Sequence, residues 1–149
     1  MTIKRVTAGL LLLVCLAALP TGAAQREADA VSVARDFEQL AGFYRQWSDF
    51  DGQTRALVRR VYDELTVTAR GYIDNWRKDP AVLYHDDTDL VGDILLQTER
   101  IESQLNLLTE TGAGGEINEV TATDFYGVEL DKAAGLFYEL GELFDGAGI

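Results

Sequence analysis

The chain has 149 residues with 25 acidic and 13 basic side chains, a formal net charge of −12. That balance argues against nucleic acid and anionic membrane surfaces as partners, because both repel a strongly acidic protein. A single cysteine (Cys15), a single methionine (Met1) and a single histidine (His85) leave little material for thiol, haem or metal chemistry.

The first segment, residues 1–24, reads as a secretory signal peptide. Lys4 and Arg5 precede an apolar run from Val6 to Leu19, and Pro20-Thr21-Gly22-Ala23-Ala24 supplies small residues before a cut. Cleavage after Ala24 suits the small side chains best, with Ala23 as the neighbouring choice. The run of 14 apolar residues is shorter than the roughly 20 needed to span a bilayer, which disfavours a retained anchor. Cys15 follows Leu13 and Val14 rather than small residues, which disfavours a lipoprotein. The expected product is a periplasmic or secreted chain, residues 25–149, with no thiol and no stable membrane insertion. The leader holds two basic residues and no acidic one, so the net charge after cleavage moves from −12 to −14.

Four amphipathic stripes follow, each at the 3-and-4 spacing of an α-helix face. Ala30, Val33, Phe37, Leu40, Tyr44 and Trp47 predict helix one over about 28–47. Ser48-Asp49-Phe50-Asp51-Gly52 is a turn by composition, and Asp51 or Thr54 can cap the next helix. Val58, Tyr62, Leu65, Ala69, Tyr72 and Trp76 predict helix two over about 54–79, which Pro80 ends. Arg55, Arg59, Arg60, Asp63 and Arg70 fall off this stripe, on the solvated side. Val91, Ile94, Thr98, Ile101, Leu105 and Leu108 predict helix three over about 88–111, stopped by Gly112-Ala113-Gly114-Gly115. Thr121-Ala122-Thr123-Asp124 resembles a capping box with Asp in the Glu position. Tyr126, Leu130, Ala133, Phe137, Leu140 and Phe144 then predict helix four over about 122–145.

Four such helices on short connections predict an all-α fold, an antiparallel up-down-up-down four-helix bundle in a single domain. A dimer of long helical hairpins is the alternative architecture. Glycines 42, 71, 92, 127, 135 and 141 fall inside helices, where each costs about 1 kcal/mol relative to Ala and marks a bend or a close approach.

Most of the chemistry that such bundles host lacks its residues. No Cys-x-x-Cys-His motif attaches a haem, and no Glu-x-x-His pair builds a di-iron site. His85-Asp86-Asp87-Thr88-Asp89 lacks the alternating acids, glycine and final Glu of a Ca²⁺ loop and reads as an acidic N-capping turn. No cofactor, metal or catalytic residue is expected, although 25 carboxylates leave a paired-carboxylate enzyme as an alternative.

Two features point toward binding. In an antiparallel bundle, Tyr44, Trp47, Tyr62 and Tyr126 converge at one end, with Arg55 and Arg59 at its rim. These six residues are the candidate site for a small organic ligand. Helix four also carries apolar residues off its stripe, of which Val128 and Tyr138 are the candidate surface for a protein partner or a homodimer. The expected function is non-catalytic binding of another macromolecule, with a soluble carrier or sensor of a small ligand as the alternative.

Overall fold

A computed structural model describes residues 24–111 and 116–149. The leader expected over residues 1–24 and the glycine-rich helix stop at 112–115 lie outside the described residues, Ala24 excepted. Among the described residues all regular structure is helical: the protein is all-α. No helix there is long and apolar enough to cross a membrane.

Four long helices dominate, α1 (Gln25–Arg45), α2 (Gly52–Lys78), α3 (Thr88–Thr111) and α4 (Val128–Ala147). Their ends follow local chemistry. Asp51 caps α2 by accepting the Thr54 N–H at 2.8 Å, and Arg77 and Lys78 occupy its last turn, where the helix dipole favours cations. Pro80 cannot continue α2 but suits the first position of a helix. It opens a single turn, Pro80–Leu83, capped by Asp79 through the Ala81 N–H at 3.0 Å. Asp87 accepts the Leu90 N–H at 3.1 Å as α3 begins. Gly148 closes α4 at φ 69°, a conformation that costs glycine nothing.

Two termini depart from the sequence expectation. α1 ends at Arg45, and Trp47 belongs to a separate 3₁₀ turn, Trp47–Asp49, rather than to the helix. The start of the fourth helix is not the Thr121 capping box. Asn118 is the cap, accepting the Thr121 N–H at 2.8 Å. After a short turn, Glu119–Thr121, the chain is π-helical over Ala122–Gly127 before α4 proper. Arg45 stabilises this segment by donating to the Gly127 carbonyl at 3.0 Å and pairing with Asp131.

Contacts between the helices are pairwise antiparallel. Arg26 at the start of α1 meets Asp79 beyond the end of α2 at 2.6 Å, while Tyr44 and Tyr62 meet at the other end. Arg77 late in α2 reaches Glu102 of α3 at 2.7 Å, and Tyr62 reaches Leu108. Gln97 and Gln104 of α3 reach the Leu136 and Glu129 carbonyls of α4, both at 2.9 Å. α4 returns to α1 at Gly141, where an added Cβ would lie 3.2 Å from Val31 Cγ2. Gly141 therefore permits a close helix approach. Gly127 does so too, with Arg45 Cγ at 3.2 Å from its would-be Cβ. The stripes meet inside, where Phe37, Leu40, Ile94, Ile101, Leu105, Leu130, Phe137 and Phe144 are fully buried.

Candidate functional site

The site builds from the α1–α2 connection. Because the chain leaves α1 through a 3₁₀ turn, Trp47 folds back and stacks on Tyr44 at 5.3 Å between ring centroids. Tyr126, carried by the π-helical segment, stacks on Tyr44 at 4.7 Å. Tyr62 meets Tyr44 and Tyr126 edge-on at 5.9 and 5.4 Å. The four aromatic candidates do converge. They are in direct contact, however, since these separations are those of touching rings. No ligand ring fits between Tyr44 and either stacking neighbour.

Three of the four polar edges are engaged as well. Tyr62 donates its hydroxyl to the Leu108 carbonyl at 2.6 Å, and Trp47 donates its indole N–H to the Ile117 carbonyl at 3.1 Å. Tyr126 donates to the Thr111 carbonyl at a longer 3.4 Å. Burial pushes the Tyr44 and Tyr62 phenols well above the ordinary range, so both stay neutral. Burial also raises Tyr126, with Arg59 opposing the shift. These bonds tie the end of α3 and residue 117 to the aromatic cluster.

The open space lies outside the cluster. A groove of about 630 Å³ runs along the start of α2, lined by Trp47, Arg55, Arg59, Arg60, Asp63 and Glu116. Of the six ligand candidates, Trp47, Arg55 and Arg59 line it, while Tyr44, Tyr62 and Tyr126 form the packed layer behind. Arg60, Asp63 and Glu116 were not anticipated. Gly52, Ala56, Arg59, Arg60 and Asp63 share one face of α2 by helical spacing, and the small Gly52 and Ala56 leave room there. That pattern was available in the sequence. The arrival of Glu116 was not, because it depends on where the 116–121 segment lands.

Arg55 is held in place. Its Nε donates to the Trp47 carbonyl at 3.0 Å, and its guanidinium carbon lies 5.2 Å from the centre of the Trp47 ring system. That leaves its two terminal nitrogens as a fork for an incoming carboxylate or other planar anion. Among the described residues, Arg26, Arg45, Arg77 and Lys132 form ion pairs; Arg55, Arg59 and Arg60 do not, and neither do Arg35, Arg70, Lys78 and Arg100, which lie outside the groove. Residues 1–23 and 112–115 contain no acidic side chain that could pair with them. Three arginines without carboxylate partners therefore share one groove of a protein whose net charge is −12.

The remaining candidates are dispersed. Val128 is 42% exposed at the start of α4. Tyr138 is half-buried across the α1–α4 seam, close enough to Glu38 and Arg35 that both act on its phenol. Phe125, Leu136 and Leu143 pack against the core rather than forming an open apolar face. Just before α3, His85 Nδ1 accepts the Asp87 N–H at 3.1 Å, and Nε2 lies 3.0 Å from the Ala147 carbonyl. Among the described residues no group of three or more His, Cys, Asp or Glu side chains is arranged to hold a metal ion.

One buried acid stands apart from the groove. Asp36 of α1 is buried, and desolvation raises its pKa from 3.8 to about 7. Burial raises the Tyr72 phenol of α2, with Asp29 and Asp36 adding to the shift.

Comparison with protein-family models, curated proteins and solved structures finds no significant match to this chain, so kinship assigns it neither a family nor an activity.

Proposed function

We propose that the protein is an exported, non-catalytic binding protein that engages a protein partner through the groove beside Trp47. In this reading residues 1–24 are removed as a signal peptide, and residues 25–149 act in the periplasm or outside the cell. The antiparallel seams support an up-down-up-down four-helix bundle as the scaffold. The observation that carries the reading is the trio Arg55, Arg59 and Arg60 around an indole, without carboxylate partners, in a strongly acidic chain. Arg is among the side chains that most often anchor protein interfaces, because it brings a large contact area with directional donors. A filled aromatic layer behind the groove supplies the rigidity that such anchors need. Nucleic acid is disfavoured by the net charge, and no cofactor is invoked.

A small organic anion is the second reading, favoured by the groove volume of about 630 Å³, which falls within the range of ligand pockets. A photo-crosslinking residue at Ala56, in the groove, tests both against a control at Asp74, elsewhere on α2. Expressed in the native host, the Ala56 probe should give a discrete protein adduct that the Asp74 probe lacks, and Arg55→Glu should abolish it. A small-molecule adduct at Ala56 alone would select the second reading. Identical adduct patterns at both positions would remove the groove from consideration.

A further inference from the structure

The groove changes charge along its length. Arg55, Arg59 and Arg60 occupy its first part along α2, and Asp63 lies at the far end. Arg55 and Asp63 are eight positions apart, about 12 Å along a helix axis at roughly 1.5 Å per residue. An extended chain covers that distance in three to four residues at about 3.4 Å each. Glu116 on the facing wall adds a second negative charge and raises the cost of seating a dianion.

From this pattern we infer that the groove binds an extended peptide segment of the partner carrying an acidic residue and, three or four positions away, a basic one. The inference rests on the groove being the binding surface proposed above. The acidic side chain meets the outward fork of Arg55, whose Nε is already held by the Trp47 carbonyl. The basic side chain meets Asp63. Between them the peptide leaves Arg55 past the small Ala56 and runs beside Arg59 and Arg60 toward Asp63. A uniformly acidic segment that reaches from Arg55 to Asp63 meets repulsion there, which favours a mixed-charge peptide over an acidic one.

The test uses ¹⁵N-labelled protein, residues 25–149, and follows the indole N–H signal of Trp47 during titration with two capped peptides, acetyl-Glu-Gly-Ser-Lys-amide and acetyl-Glu-Gly-Ser-Glu-amide. The mixed-charge peptide should bind up to about fivefold more tightly than the acidic one, the scale expected from one exposed charge contact. Asp63→Asn should erase that preference, and Arg55→Gln should weaken both peptides. Asp63 is exposed, so its variant should keep the fold. Equal binding of the two peptides, still weakened by Arg55→Gln, would overturn the charge-pairing inference and leave the groove as the binding surface. No response of the Trp47 signal to either peptide would overturn both.

Discussion

The two ends of the helices treat their charges in opposite ways. Around Trp76, the ring stacks on Tyr72 at 5.2 Å and meets Phe144 edge-on at 5.1 Å. The nearby arginines are spent on structure, while Lys78 forms no ion pair: Arg26 pairs with Asp79, and Arg77 pairs with Glu102 while donating to the Thr98 carbonyl. Around Trp47 the packing is as tight, but Arg55, Arg59 and Arg60 face a groove without a carboxylate partner. Both ends bury aromatics, so aromatic content does not separate scaffold from site. The disposition of the cations does. A paired arginine has already given its donors to the fold, whereas an unpaired one beside a concave surface keeps them for a ligand.

The sharpest test of the Trp76 end as scaffold is truncation. Trp76→Ala should destabilise the protein by about 3–5 kcal/mol, the range for emptying a buried aromatic site. It should leave the groove's peptide affinity unchanged when measured well below the melting temperature. Denaturant unfolding reads the first quantity and the Trp47 signal reads the second. A small loss of stability would mean that the Trp76 end is not the packed scaffold described.

Asp36 gives a prediction of intermediate size. Its folded-state pKa of about 7 lies above its ordinary 3.8. The folded protein therefore holds this proton where the unfolded chain has released it. Stability should fall as pH rises from about 4 to 7 and then level off. Asp36→Asn should flatten that slope and raise stability by about 1–3 kcal/mol at pH 8, because an amide is not charged on burial. Thermal melts at pH 5 and pH 8 check it, and a variant with the original slope would mean that burial of the Asp36 carboxyl does not set the pH dependence.

Within the aromatic layer the expected effect is smaller. Tyr62→Phe keeps the ring and removes the donor to Leu108, so the loss should be about 0.5–1.5 kcal/mol. Binding at the groove should not change, because Tyr62 lies behind the lining. A binding defect without a stability defect would return Tyr62 to the ligand site.

At the groove itself the stability effect should be the least and the binding effect the clearest. Arg59→Ala should shift stability by under about 0.5 kcal/mol, as surface substitutions do. It should still weaken the mixed-charge peptide. Large destabilisation would make Arg59 a structural cation like Arg77 and erase the contrast between the two ends.

Much of this architecture was legible in the order of residues. The 3-and-4 spacing put Phe37, Leu40, Ile101, Leu105, Phe137 and Leu140 in the core, because only one face of each helix can leave water. Asp51 and Pro80 announced their roles because capping and the missing proline N–H act within one turn. The convergence of Tyr44, Trp47, Tyr62 and Tyr126 followed from antiparallel neighbours alone. Other features depended on long-range placement. The π-helical segment Ala122–Gly127 is met by Arg45, a residue more than seventy positions earlier, whereas the Asn118 cap acts within one turn and was legible locally. Whether four convergent rings enclose a cavity or fill it is a matter of ångströms between separate helices, and here they fill it. The groove exists because residues 116 and 117 settle beside the start of α2, bound by the Trp47 indole. Periodicity therefore determined which residues are inside and which helix ends are shared. Tertiary packing decided which charges were neutralised, because an ion pair depends on distance in space, and spacing along the chain does not set that distance between elements.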